Sequence, residues 1–176
     1  KNFLSLSRIE KGELAVRPQE LLIKEDVFAH AIEEFTQAAA AKQMEIINNL
    51  RAEIKVYGDL DLLVVVANNL IGNAVKYGIM GGKIIIDARE QEERLEISVY
   101  NDGEPLSAQQ QLQLFKRFSR VDSAQTRVVQ GTGLGLFITK EIIQKHSGRI
   151  WVESSATGNA FCFEIGIHPA LIAPGP

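Results

Sequence analysis

The sequence predicts an α+β layer fold, and three observations carry that reading. Residues 60–77, LDLLVVVANNLIGNAVKY, place apolar side chains at helical spacing. Residues 83–101 alternate apolar and polar positions on either side of a charged turn, which is the pattern of a hairpin. Along the chain the segments run strand, helix, two strands, helix, hairpin, polar loop, helix, hairpin, an order that suits helices layered on a sheet.

Composition narrows the class. The 176 residues are 45% hydrophobic and 23% charged, enough for one domain with a substantial core. A net charge of −3 gives no global basic field, so a nucleic-acid partner is not expected. The single cysteine, Cys162, excludes an internal disulfide and fits a reducing cytosol. The longest apolar run, Leu62 to Ala67, is far too short to span a membrane, and no signal peptide opens the sequence. With Lys1 in place of Met, and with Phe3 to Ile9 reading as the tail of a helix that stops at Gly12, the chain is expected to be a fragment.

Taken in order, Glu13 to Ile23 contains Pro18 and reads as an irregular or edge strand. Asp26 is expected to start an amphipathic helix through Val27, Ala31, Phe35 and Ala38, and the alanine run to Ala41 favours it by propensity. His30 has no partner at metal-binding spacing and reads as a packed or surface residue. Met44 to Leu50 and Glu53 to Tyr57 read as short strands, and Gly58-Asp59 as a turn and N-cap.

The helix that follows is expected to bury Leu60, Leu63, Val64, Ala67, Ile71 and Ala74. Leu62, Val65 and Val66 lie on its other side, so its start is buried twice. Its end then presents Asn69, Asn73, Lys76 and Tyr77 on one polar face. Two carboxamides one turn apart, followed by a lysine, suit a site for Mg²⁺ and phosphate, because an Asn oxygen is a hard ligand. By itself that spacing fits a solvated helix face better than a site.

Gly78 to Gly82 is a loop. Ile84, Ile86 and Ala88 then share one strand face, and Leu95, Ile97 and Val99 share the matching face of the next strand. That parity turns Asn101 inward and Asp102 outward. Ser107-x-x-Gln110 is a capping-box signature for a short helix carrying Leu112, Phe115 and Phe118. Val121 to Gln130 has no period and reads as a mobile loop, and Lys116, Arg117, Arg120 and Arg127 make the region locally basic.

Gly131-Thr-Gly-Leu-Gly-Leu136 opens a helix with Leu134, Phe137, Ile138 and Ile142 on one face. Glycines there let main-chain amides approach phosphate at a helix N-terminus. The run lacks the Gly-Lys-Ser/Thr ending of a Walker loop and the spacing of a Rossmann fingerprint. His146 reads as structural at the helix end. Arg149 to Glu153 and Ala160 to Ile167 form a closing hairpin, with Phe161, Phe163 and Ile165 inward and Cys162 opposite, beside Glu164.

The asparagine helix, Asn101-Asp102-Gly103, the Leu114-Phe-Lys-Arg-Phe-Ser-Arg120 run and Gly131 to Leu136 stand in a fixed order. In that order the sequence resembles the catalytic ATP-binding domain of sensor histidine kinases, within the superfamily of gyrase, mismatch-repair and chaperone ATPases. The likeness runs from about Glu13 to Ile167. It implies a two-layer α/β sandwich, with a mixed five-stranded sheet, three helices on one face and an ATP lid. Residues 1–12 would end a dimerisation and phosphoacceptor hairpin, residues 13–168 the ATP-binding domain and residues 169–176 a loose tail.

The resemblance implies ATP and Mg²⁺ as cofactors, with Asn73 on the metal. It places Asn69, Lys76 and Arg120 near the transferred phosphoryl group. It further implies nucleotide contacts at Tyr77, Asn101, Gly103, Gly131, Thr132, Gly133, Leu134 and Gly135. Family members usually carry an Asp, accepting from the adenine amine, where this sequence has Asn101. They more often have a glycine where it has Pro105.

Three functions are weighed. The leading one is transfer of the γ-phosphoryl group to a histidine, with an upstream hairpin, a response regulator and a dimer mate as partners, in the cytoplasm and without membrane contact by this segment. The second is ATP hydrolysis or serine phosphorylation. Those branches place a Glu at the position of Asn69, which cannot act as a general base. The third is a degenerate nucleotide-binding module. None of His30, His146 and His168 precedes an acidic residue, as the family's phosphoacceptor does, so the chain is not expected to label itself.

Overall fold

The structure is a computed structural model and describes residues 14–119 and 132–169. Its elements are β1 (Gln19–Leu22), α1 (Ala29–Ala41), β2 (Glu45–Asn48), β3 (Lys55–Gly58), α2 (Leu60–Tyr77), β4 (Lys83–Gln91) and β5 (Arg94–Asp102). After these come α3 (Ala108–Gln113), α4 (Gly135–Lys145), β6 (Arg149–Ser154) and β7 (Gly158–Gly166).

The main sheet has five strands in the order β2-β4-β5-β7-β6. β2 and β4 run parallel while the other neighbours are antiparallel, so the sheet is mixed. Ile84, Ile86, Leu95, Ile97, Val99, Phe161, Phe163 and Ile165 line its inner face and are buried. These are the positions the alternation selected. β3 does not join this sheet: it pairs with β1 as a separate two-stranded ribbon, with Leu21 opposite Val56.

The first helix departs from expectation at its start. The chain turns helical at Ile23, in a wide π-type segment that runs to Phe28, rather than at Asp26. Asp26 instead accepts a hydrogen bond from the Leu22 amide at 2.7 Å, satisfying a donor that the wide turn leaves free. Ala39, not Ala38, completes the buried stripe, because the repeat from Val27 through Ala31 and Phe35 advances by four.

α2 buries more than the stripe predicted. Leu63, Val66, Ala67, Leu70, Ile71, Ala74 and Val75 are all buried, whereas Leu60 and Val64 are half-buried. The helix lies between α1 and α4, so both its flanks are covered. On the α1 side a Cβ at Gly72 would stand 2.8 Å from the tip of the Phe35 ring, so a larger residue there must displace that ring. Cys162 lies on the outer face of the sheet, as parity required, yet it is only 2% exposed. Burial pushes its thiol up to about 12.

A histidine closes the far end of the helical layer. Asp59 caps α2, its Oδ1 accepting from the Leu62 amide at 3.1 Å. The Asp59 amide itself donates to His146 Nε2 at 3.0 Å, and His146 Nδ1 lies 2.8 Å from the Ile142 carbonyl. The neutral ring, with its proton on Nδ1, satisfies both neighbours, which is the structural role expected of it.

Burial, more than any other influence, lowers the His146 pKa from 6.5. Above 6.5 the ring is neutral folded or unfolded, so it adds no pH dependence there. Below 6.5 the unfolded chain binds the proton first, so stability falls as pH drops through the lower folded value. Urea midpoints at about pH 7.5 and about pH 5.5 should therefore separate more for the native chain than for His146→Gln. Equal separations would refute this role.

Candidate nucleotide site

The last turns of α2, the end of β5 and the start of α4 converge. Asn69 is half-buried, and its Nδ2 donates to the Gly135 carbonyl at 3.1 Å and to Thr139 Oγ1 at 3.2 Å. Thr139, fully buried, donates in turn to the Gly135 carbonyl at 2.9 Å. Asn69 is therefore the clasp between α2 and the first turn of the glycine-run helix. Its nitrogen is occupied, and only its carbonyl oxygen remains for a ligand.

One turn on, Asn73 is half-buried and makes no side-chain hydrogen bond among the described residues. Lys76 places its ammonium 4.9 Å above the Tyr77 ring, and Tyr77 is 38% exposed. The pair forms the outer corner of the helix end.

Asn101 is 3% exposed, and its Nδ2 donates to the Asp102 carbonyl at 3.1 Å. The outward Asp102 holds the hairpin: its carboxylate accepts from the Lys83 amide at 2.7 Å and from the Tyr100 hydroxyl at 2.8 Å. Gly103 threads between β5 and α2. A Cβ there would stand 3.0 Å from Asn101 Nδ2 and 3.2 Å from the Tyr77 carbonyl oxygen.

Asn159 faces Asn101 across the β5–β7 register. Its Nδ2 donates to the Glu104 carbonyl at 2.8 Å, while its Oδ1 accepts from the Leu106 amide at 3.1 Å and from Ser154 Oγ. The groups on both sides of Pro105 are thus bonded, and the missing proline donor leaves nothing orphaned. The sequence reading missed Asn159. Its signal was a polar residue in phase with Phe161 and Phe163.

The capping box forms as expected, with Gln110 N to Ser107 Oγ at 3.2 Å and Ser107 N to Gln110 Oε1 at 2.8 Å. The helix it starts is short, however, and Leu112 and Phe118 are 76% and 64% exposed. Arg117 stacks 5.3 Å over the Phe137 ring of α4. Gly133 has φ +67°, and a Cβ on it would come within 2.8 Å of the Ser119 carbonyl oxygen. Only glycine lets this loop pass so close to the basic segment. Thr132 is exposed, whereas Leu134 is 1% exposed with its side chain in the core, so only its main chain can meet a ligand. Arg120 and Gly131 lie outside the described residues.

The donor set suits magnesium. Among the described residues no group of three His, Cys, Asp or Glu could hold a metal. A carboxamide without a side-chain partner among the described residues, as at Asn73, matches an ion that takes few protein ligands and fills its shell with water.

A helical layer over a mixed sheet, with a glycine-rich turn clasped by an asparagine of the central helix, is the layout of a nucleotide-binding domain. Residues 58–169 match the family described as Histidine kinase-, DNA gyrase B-, and HSP90-like ATPase, and the chain belongs to that family as an ATP-binding domain. Sensor histidine kinase WalK of Bacillus subtilis is 43% identical over 116 residues, covering 64% of this chain and 19% of WalK. Sensor histidine kinase RppB of Synechocystis is 33% identical over 173 residues, covering 97% of this chain and 38% of RppB. The chain thus spans well under half the length of these curated relatives. The catalytic domain of histidine kinase ThkA, in a nucleotide-free form, superposes with a TM-score of 0.76 at 26% identity, over 88% of this chain and 99% of that one. No helix among the described residues is long and apolar enough to cross a membrane.

Proposed function

We propose that this chain is the catalytic part of a sensor histidine kinase, transferring the ATP γ-phosphoryl group to a histidine on an upstream hairpin. The observation that carries the reading is the asparagine pair on α2. Asn69 uses its amide to hold Gly135 and Thr139, and no carboxylate stands there to activate water or a hydroxyl. That disfavours the hydrolase and serine-kinase branches. An imidazole nitrogen attacks with less help, so positioning and charge neutralisation carry the step.

In this reading Asn101 Oδ1 accepts from the adenine amine, and the amides around Gly133 and Gly135 face the phosphates. Asn73 Oδ1 would be the protein ligand of Mg²⁺, which would supply charge neutralisation for the phosphates. Lys76 and Arg120 supply further positive charge. The P–O bond to the β-phosphate breaks, a P–N bond forms, and ADP leaves. A response regulator then takes the phosphoryl group, and a dimer mate completes the parent protein in the cytoplasm. ThkA, which shares the fold, has been crystallised with the response regulator protein TrrA.

Incubation with labelled ATP tests this. The chain alone should stay unlabelled, because His30 and His168 are exposed without an acidic neighbour and His146 is buried. An added histidine hairpin from the full-length protein should take up label. Self-labelling would overturn the reading. Nucleotide binding without hairpin labelling would leave a degenerate module instead.

A further inference from the structure

Lys42 follows the last residue of α1, far in sequence from every motif above. Its Nζ is 2.8 Å from the Val75 carbonyl oxygen, 2.9 Å from that of Lys76 and 3.1 Å from that of Gly78. Three acceptors use all three protons of the ammonium. The last carbonyls of a helix have no partner within it, and they carry the negative end of its dipole. Here the Ala74 carbonyl is met by the Gly78 amide at 2.9 Å, and Lys42 takes the next two.

The main chain closes the same junction. The Gly81 amide donates to the Lys42 carbonyl at 2.9 Å, and the Glu45 amide donates to the Gly82 carbonyl at 3.1 Å. On the opposite side the Ile79 amide donates to the Asp102 carbonyl at 3.0 Å. A Cβ on Gly78 would collide with Met44 Cε and the Ala74 carbonyl, so this junction has no slack. The loop from Gly78 to Gly82 is thereby pinned between the α1–β2 turn and the end of β5 that holds Asn101. The carbonyls bound by Lys42 belong to or flank Lys76 and Tyr77.

We infer that Lys42 is a positioning residue of the nucleotide site, holding Lys76, Tyr77 and the Gly78–Gly82 loop at fixed distance from Asn101 and Gly103. It touches no nucleotide in this account. It acts by fixing the end of α2 and by offsetting the negative dipole where a polyanion must approach. The inference rests on the site being a nucleotide site, and the test below separates the two.

Lys42→Met, and Lys42→Gln, which keeps two donors without the charge, are compared with the native chain by amide hydrogen exchange and by calorimetric titration with a non-hydrolysable ATP analogue and Mg²⁺. All measurements are made where each chain is folded. In Lys42→Met the amides of Ile79, Gly81 and Gly82 should exchange at least about ten-fold faster, while those of β5 and β7 keep their rates. The analogue should bind about ten-fold more weakly, the scale of one charge-assisted bond, with Lys42→Gln in between. Loop exchange at native rates would overturn the inference whether or not nucleotide binds. So would a lowered melting temperature with unchanged affinity, which is the mark of a helix cap and nothing more. Should the native chain bind no analogue, the nucleotide reading fails, and a positioning role towards nucleotide fails with it.

Discussion

Asn73→Ala is expected to remove the magnesium-dependent part of ATP-analogue binding while leaving the fold intact. The side chain makes no hydrogen bond among the described residues, so truncation orphans no buried partner. Stability should change by no more than about 0.5 kcal/mol, as for a surface site. The loss in binding is larger, because the interaction removed is with a fully charged ion. An interaction of about 1.5–3 kcal/mol corresponds to roughly a 10- to 150-fold weaker association. Calorimetry with and without Mg²⁺ reads the difference directly. Asn69→Ala is the contrast: it strips a donor from the Gly135 carbonyl and from buried Thr139, so it should lower the melting temperature as well as the affinity. If Asn73→Ala bound Mg²⁺–nucleotide as the native chain does, the metal would have to be held elsewhere.

Asn101 gives the second large effect. Asn101→Leu should weaken ATP-analogue binding by about 1–3 kcal/mol, since the adenine amine would face an apolar group in a buried site. Asn101→Asp separates two influences that the native residue combines. A carboxylate accepts from the base roughly twice as strongly as an amide, which favours tighter binding. It also exchanges the Nδ2 donor, 3.1 Å from the Asp102 carbonyl, for an oxygen that repels that carbonyl. The expected result is a several-fold gain in affinity for the adenine nucleotide together with a lower melting temperature. A fall in affinity would mean that the bond to Asp102, rather than the charge of the acceptor, sets the base contact.

Much of the architecture was legible because its signals are local. Alternation through Leu95, Ile97 and Val99 carried forward to Asn101, and the inward turn of that residue needed nothing beyond a period of two. Ser107 and Gln110 are three residues apart, and their capping box formed as read. His146 at a helix end before Gly148 was read as structural, and it is buried between Asp59 and Ile142. The buried stripe of α2 was read too narrowly. A helix flanked on two sides needs more apolar positions than one amphipathic face describes, and Leu70 and Val75 supplied them.

The sequence by itself determined the order of elements, the facing of Asn101 and Asp102, and which helix carries the asparagine pair. Each follows from the geometry of one helix or one strand. Only the tertiary structure decided that β3 pairs with β1 outside the main sheet, that the Asn69 amide grips Gly135 and Thr139, and that Lys42 seals the end of α2. Those partners lie tens of residues apart, and no periodicity along a chain records which distant groups its folding brings within hydrogen-bonding reach.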